Sequence, residues 1–358
     1  MASPDPRILS GSRDARFLFV GEAPGKDEIA KGVPFVGASG QELTRMLNEA
    51  GWSRDAFRIA NVINARPPDN KISEWMPDSK KEALAKGCVL FRNRWVMPQV
   101  IDGFNALVET IKEMPNLELI IGAGNTPLWA LLNHDSITAW RGSQTYLGND
   151  MMLRVGRKIP TIPVIHPAAI LRDWAQRFPT LEDLRRAKRW SEEKYAEPPY
   201  RFITRPSFRD ACTWILDRLS LLERDPTAFL PCAVDIETRS GHMACIGLAD
   251  TPLDAICIPL MEVSGSYFSL DEEIHVLSLL RRLLTHPRFR LIGQNWLYDR
   301  QYFAKHLGLN LRPWRDTMVM QHVCWPGTPK GLDFICSLYN HFYCFWKHES
   351  KDLSLIHI

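Results

Sequence analysis

The chain has 358 residues, 45% of them hydrophobic and 24% charged, with a formal net charge of +3. That is globular composition, of a length that suggests about two domains, and its charge is too small to demand a polyanionic partner. No apolar run approaches the roughly 18 residues that span a bilayer, and the N-terminal MASPDPRILSGSRDAR lacks a signal-peptide apolar core, so no membrane association and a cytosolic location are expected.

ARFLFVG reads as a strand, and it enters a loop punctuated by glycines and prolines, GEAPGKDEIAKGVPFVGASG. GQELTRMLNEAGW follows as an amphipathic helix with Leu43, Met46, Leu47 and Ala50 on one face. FRIANVIN is a second strand, MPQVIDGFNALVETIKEMP a helix bounded by prolines, and LELIIGAGN a third strand leading into TPLWALLN. TIPVIHP is a fourth strand ending at His166, and LEDLRRAKRWSEEKY is a charged closing helix. This alternation predicts an α/β/α sandwich around a parallel sheet, in which ligands sit at the carboxyl ends of strands.

The proline-rich EPPYRFITRP marks a linker over 196–206 between a first domain, 1–195, and a second, 207–352. The second begins with a helix at SFRDACTWILDRLSLLER, then strands at FLPCAVDIET, MACIGLAD and ICIPLMEV. EEIHVLSLLRRLLTH, NWLYDRQYFAKHLG and KGLDFICSLYNHF read as helices. None of the 8 cysteines forms CxxC or zinc-finger spacing, and only Cys88 precedes residue 200, so buried thiols are the simplest reading.

In the first domain, Gly21, Gly25, Gly32, Gly37 and Gly40 permit tight turns and close backbone approach to a ligand. Phe35 offers a stacking face, Glu22 and Glu28 can position water, and His166 can donate to a developing negative charge. Ile170 and Leu171 form an apolar wedge beside Arg172, a phosphate contact. Arg177, Arg185, Arg186, Lys188 and Arg189 add positive charge to the closing helix, but its acidic residues fit a solvated face equally well. Taken singly, a Gly/Pro-rich loop is usually a turn and a strand-end histidine is usually structural.

Together, GEAPGKDEIAKGVPFVGASG, NVINARPPDN, LELIIGAG and IHPAAILR resemble, in this order, the family-four uracil-DNA glycosylases and their superfamily. The resemblance implies that Phe35 stacks on a flipped uracil bordered by Gly21 and Ala23, and that Asn61 reads its polar edge. His166 would stabilise the departing uracil anion, Glu22 and Glu28 would orient or activate water, and Ile170 or Leu171 would fill the gap in the stack. That family binds a [4Fe–4S] cluster with four cysteines; here Ala65 stands where one is expected and only Cys88 matches, so no Fe–S cluster is expected. The counterpart of the family's asparagine after RPP is either Asp69 or Asn70.

In the second domain, Asp235 and Glu237 alternate onto one face of a strand, where a cation offsets their repulsion. Asn295 and Asp299 are expected on one helical face, four residues apart. AVDIETRSG, GQNWLYD, RDTMVMQH and PKGLDFICSLY resemble the 3′–5′ exonuclease domain of family A DNA polymerases, of the DnaQ-like, ribonuclease H-like group. The resemblance implies Mg²⁺ or Mn²⁺ held by Asp235, Glu237 and Asp299, with Thr238 at the terminal nucleotide, Asn295 in support and Asp316 as a helix cap. The family's third motif, Tyr-x-x-x-Asp, is not present, and LSLIHI at 353–358 reads as a non-native tail, so this domain is expected to be C-terminally truncated with little nuclease activity. The whole is expected to be a DNA-processing hydrolase, the N-terminal part of a phage-type polymerase in a host cytoplasm, acting on uracil-containing or modified DNA and on 3′ ends. The alternative is that the first domain senses uracil or a modified pyrimidine, or positions DNA, without cleaving. A nucleotide-binding α/β domain of unrelated function is the blander reading.

Overall fold

A computed structural model of the chain describes residues 7–193 and 198–347. Two compact units emerge, one of Met1–Ala196 with Cys336–Phe345 and one of Glu197–Ile335 with Trp346–Ile358. The tail at 353–358 lies outside the described residues. No helix among the described residues is long and apolar enough to cross a membrane.

The first unit runs β1 (Phe17–Gly21), α1 (Lys26–Lys31), α2 (Ala38–Glu49), β2 (Phe57–Asn61) and α3 (Lys80–Ala85). A hairpin of β3 (Val89–Phe91) and β4 (Arg94–Val96) precedes α4 (Pro98–Lys112), β5 (Leu119–Ala123), α5 (Asn125–Leu132) and α6 (Ile137–Trp140). Then come β6 (Thr145–Tyr146), α7 (Asn149–Val155), β7 (Pro160–Val164), α8 (Pro167–Ile170) and α9 (Arg177–Glu193). The sheet order is β2-β1-β5-β7-β6, parallel except for β6, a short antiparallel edge. Every residue of β1, β2 and β5 is buried, because helices cover both faces. One helical layer contains α2, α8 and α9, and the other α4, α5 and α7. Leu43, Met46, Leu47 and Ala50 are buried as their helical spacing requires.

Two local features were not legible as elements. KDEIAK, inside the glycine-rich loop, closes into the short α1. Arg92 and Asn93 both take positive φ (49° and 62°), which fits the two-residue turn joining β3 to β4. Arg92 then anchors that hairpin, donating to the Ala130 carbonyl at 2.6 Å and lying over the Phe104 ring.

The first unit is discontinuous in sequence, unlike the expected 1–195. Arg141 donates twice to Asp183, at 2.6 and 2.8 Å, and also to Ser337 Oγ at 2.8 Å. Arg186 donates to the Ser337 carbonyl. The Tyr343 amide donates to Gln144 Oε1 at 3.0 Å, and the Gln144 amide donates back to the Tyr343 carbonyl at 2.6 Å. Buried charges need complete hydrogen bonding, and residues 336–345 supply part of it.

The second unit runs β8 (Arg201–Ile203), α10 (Phe208–Arg224), β9 (Leu230–Arg239), β10 (His242–Ala249), β11 (Asp254–Pro259), β12 (Met261–Glu262) and β13 (Gly265–Ser266). It continues with α11 (Leu270–Leu284), β14 (Phe289–Gly293), α12 (Leu297–Leu307), β15 (Arg315–Asp316), α13 (Thr317–Cys324) and the start of α14 (Leu332–Tyr339), whose residues from Cys336 on belong to the first unit. The main sheet is ordered β15-β14-β9-β10-β11-β8, with β9, β10 and β11 antiparallel and β14 parallel to β9. Residues 201–203, within the expected linker, are the edge strand β8, paired parallel to β11. FRLIG forms a further strand, β14, beside β9. Along β9 burial alternates: Leu230, Cys232, Val234 and Ile236 enter the core, and Asp235 and Glu237 share the opposite face.

Candidate functional site

A cavity of about 860 Å³ opens at the carboxyl ends of β1, β2, β5 and β7. Glu22, Ala23, Gly25, Glu28, Phe35, Asn61, Asn70, Thr126, His166 and Arg172 all line it. The sheet therefore gathers residues that lie more than a hundred positions apart.

Phe35 is buried at the cavity wall, edge-on to Phe19 and 5.6 Å between centroids from His166. It holds a positive φ of 56°, which is strained for an aromatic residue. Arg54 secures that turn, donating to the carbonyls of Pro34 at 3.2 Å, Phe35 at 3.1 Å and Gly40 at 3.3 Å. A Cβ on Gly40 would lie 1.8 Å from the Phe35 carbonyl oxygen, and one on Gly21 would lie 2.4 Å from Asn61 Oδ1 and 2.6 Å from the Phe35 ring. These two glycines let the loop close on Phe35.

Asn61 is 3% exposed, and its Nδ2 has no hydrogen-bond partner among the described residues. Leaving such an amide unsatisfied costs about 1–3 kcal/mol, which a ligand group would recover. His166 Nδ1 accepts the Ala168 amide hydrogen at 3.1 Å, so the neutral ring carries its proton on Nε2. Removal from bulk water, and then the nearby Arg172 charge, push its pKa down to about 4. The ring is enclosed by protein yet partly open to the cavity. It is neutral at pH 7.

Glu22 Oε2 accepts from Thr126 Oγ1 at 2.6 Å. Glu28 Oε2 accepts the Gly25 amide hydrogen at 3.0 Å, so one of its oxygens holds the loop at the start of α1. Asn70 reaches the cavity wall, and Asp69 is not among its lining residues. Thr126 and Lys71 also line the cavity; neither belonged to a motif readable in the sequence.

The apolar wedge needs correcting. Ile170 is fully buried in the core, because α8 turns it inward, and Leu171 is 47% exposed. The basic face of α9 is largely ion-paired: Arg177 with Glu42 and Glu49, Arg185 with Glu182, Lys188 with Glu192, and the buried Arg186 with Asp183. It has the character of a self-compensated helix rather than a phosphate track. Cys88 is buried, which raises its thiol pKa, and Ala65 is on the surface. One thiol and an alanine do not fit a four-cysteine cluster.

In the second unit, Asp299 on α12 is 3% exposed, and its Oδ1 accepts the Ile236 amide hydrogen at 3.1 Å. That amide is available because β14 pairs with β9 only as far as Ala233. Burial, then the charges of Asp235 and Glu237, push the Asp299 carboxyl up to about 6. Desolvation also raises Asp235, and it raises Glu237 together with the Asp235 charge. Hard, mutually repelling carboxylates suit a divalent cation. Among the described residues no three such side chains are already gathered into a metal-binding cluster.

Thr238 Oγ1 lies 2.9 Å from Tyr298 OH. Asn295 is not on the same helical face as Asp299. It precedes α12 with φ 55°, because Asp316 accepts the amide hydrogens of Asn295 at 3.2 Å and Trp296 at 2.8 Å and sets the turn. Asp316 also caps α13 through the Met318 amide at 2.9 Å, the capping role expected of it.

The model of the Uracil DNA glycosylase superfamily matches residues 10–190, and that of a 3′-5′ exonuclease matches residues 217–353. The type-4 uracil-DNA glycosylase of Thermotoga maritima is 32% identical over 186 residues, covering 51% of this chain and 80% of the relative. That of Saccharolobus solfataricus is 34% identical over 182 residues, covering 50% and 72%. The chain belongs to the uracil-DNA glycosylase superfamily and also contains a 3′–5′ exonuclease domain. Its fold is mixed α/β, with a glycosylase-like sandwich and a ribonuclease H-like second unit. Both families place it among the hydrolases.

Among solved structures, Escherichia coli RNase D aligns with a TM-score of 0.30 at 19% identity, over 42% of this chain and 36% of that one. Brucella melitensis NrnC bound to pGG aligns with a TM-score of 0.28 at 17% identity, over 40% and 62%. The chain thus spans less than two thirds of either nuclease.

Proposed function

We propose that the first unit extrudes uracil from DNA and hydrolyses its N-glycosidic bond. The observation that carries this reading is the pairing of a neutral His166, proton on Nε2, with the unpartnered Asn61 amide in one cavity. Phe35 stacks on the base, and Asn61 hydrogen-bonds its polar edge. The C1′–N1 bond breaks with its electron pair leaving on the base. His166 Nε2–H donates to the carbonyl oxygen on which that charge develops. Glu22, held by Thr126, orients the water that adds to C1′ and receives its proton. Arg172 lines the cavity as a cation suited to a phosphate.

In the second unit, Asp235, Glu237 and Asp299 would hold Mg²⁺ or Mn²⁺. Such an ion, when bound, activates water and stabilises the leaving oxygen of a 3′-terminal phosphodiester. Thr238 and Tyr298 border these carboxylates and would contact the terminal nucleotide. The likeness of AVDIETRSG and GQNWLYD to family A polymerase exonucleases supports a role in editing DNA beside a polymerase.

The test uses the full chain, because residues 336–345 complete the first unit. Uracil-containing single- and double-stranded DNA is incubated in EDTA, which silences a metal-dependent nuclease, and then treated with alkali. Strand breaks lost in His166→Ala support excision. Binding without breaks favours the sensor reading, which the lack of cluster cysteines also favours. Neither binding nor breaks sinks both.

A further inference from the structure

The rim of the base cavity presents a feature that base extrusion alone does not use. Leu171, Trp174 and Phe178 are 47%, 61% and 37% exposed, three large apolar side chains within eight positions. Scattered apolar residues are ordinary on a protein surface, but this group adjoins residues of the cavity itself: Arg172, Asp173 and Gln176 are lining residues on either side of Trp174.

Trp174 is also held in a rigid setting. It opens a 3₁₀ turn, Trp174–Gln176, capped by Asp173, whose Oδ1 accepts the Ala175 amide hydrogen at 3.2 Å and whose Oδ2 accepts from Gln176 Nε2 at 3.1 Å. The Arg177 guanidinium lies 5.0 Å from the indole centroid. Arg177 is itself fixed, donating to the buried Glu42 at 2.7 Å and to Glu49 at 2.6 and 3.1 Å. A cation held over one face of the indole leaves the opposite face to a planar ligand. An aromatic ring fixed in this way loses little entropy on stacking.

We propose that Trp174 is a second stacking platform, taking the base that neighbours the extruded nucleotide, with Leu171 beside it at the vacated position. This rests on the reading of the cavity as a base pocket and extends recognition from one nucleotide to its neighbour. Base–aromatic stacking is sequence-tolerant, so Trp174 would contribute affinity without choosing the neighbouring base.

The test is spectroscopic and uses the full chain in EDTA. Oligonucleotides contain a 2′-fluoroarabino-deoxyuridine, whose glycosidic bond resists cleavage, and 2-aminopurine as either its 5′ or its 3′ neighbour. Stacking on indole quenches 2-aminopurine emission. We expect quenching at one of the two positions, relief of it in Trp174→Ala with binding weakened on the order of tenfold, and its retention in Trp174→Phe. Unchanged affinity and emission in Trp174→Ala overturn the proposal. So does weakened affinity with unchanged emission, which assigns Trp174 a merely structural role. If the wild-type chain excises uracil from ordinary DNA but shows no quenching, only this inference fails. If it neither binds nor excises, the base-pocket reading fails and this inference falls with it.

Discussion

Thr126 Oγ1 donates to Glu22 Oε2 at 2.6 Å, joining the first turn of α5 to the loop after β1. Thr126 is 4% exposed, so its side of this bond is withdrawn from bulk water, while Glu22 is partly exposed at the cavity wall. A hydrogen bond to a carboxylate in such a place is worth about 1–3 kcal/mol and fixes which way the second oxygen points. Thr126→Val should therefore lower kcat for uracil release roughly tenfold to a hundredfold with little change in KM. Thr126→Ser should restore most of it. A raised KM with kcat unchanged would show that Glu22 is not positioned through Thr126.

His166 governs acid sensitivity. Its folded-state pKa of about 4 lies below the ordinary histidine value of 6.5. The unfolded chain therefore binds more protons at this site between those values. Stability contributed by keeping the ring neutral is complete above about pH 6.5 and is lost as the pH falls toward 4, by up to about 3 kcal/mol. Urea unfolding of wild type and His166→Gln at pH 7 and pH 4.5 should show the gap between them shifting in favour of the variant at the lower pH. Excision should show no ionisation near pH 6.5, because the ring is already neutral there.

Asp299 predicts the opposite balance in the second unit. Its carboxyl, pushed up to about 6, costs stability in its ionised, metal-free form. The folded state binds the extra proton between the ordinary value and 6, so metal-free stability declines as the pH rises through that window. Asp299→Asn keeps an acceptor for the Ile236 amide and removes the charge. It should stabilise the metal-free chain at pH 7.5 by on the order of 2 kcal/mol while abolishing Mn²⁺ binding. Calorimetric titration of wild type with Mn²⁺ should show affinity falling as the pH drops through about 6. Equal affinity in Asp299→Asn would refute its assignment as a ligand.

Asp183 anchors Arg141 and Arg186, the two arginines that bond to Ser337 within the first unit. It is fully buried against Arg141 and Arg186. Asp183→Asn leaves those two guanidinium groups without their counter-charge and should destabilise the unit by about 3–5 kcal/mol. Ser337→Ala removes one acceptor from Arg141 and should cost about 1–3 kcal/mol. Scanning calorimetry of the full chain measures both. No change in Ser337→Ala would mean that the Ser337 hydroxyl adds nothing to this cluster.

Much of this was readable from local pattern. Strand and helix spacing located most of the elements, because β1, β2 and β5 are apolar throughout and α2 repeats its apolar face every three to four residues. The alternation along β9 put Asp235 and Glu237 on one face, since the pleat has a period of two. The order of the motifs around Glu22, Asn61 and His166 identified the family. Other features depended on contacts between distant residues. Nothing near Ile170 distinguishes it from Leu171 as the buried one, because both are apolar and only the packing of α8 against the core decides. Asn295 departs from the helical face of Asp299 because Asp316, far along the chain, takes the amides that the turn exposes. The proton on His166 and the bond from Thr126 to Glu22 depend on elements that meet only once the sheet has formed, and the exposed indole of Trp174 is set by Arg177, which Glu42 and Glu49 hold from the distant α2. Chemical type is a property of each residue, whereas protonation, orientation and exposure are set by its neighbours in space.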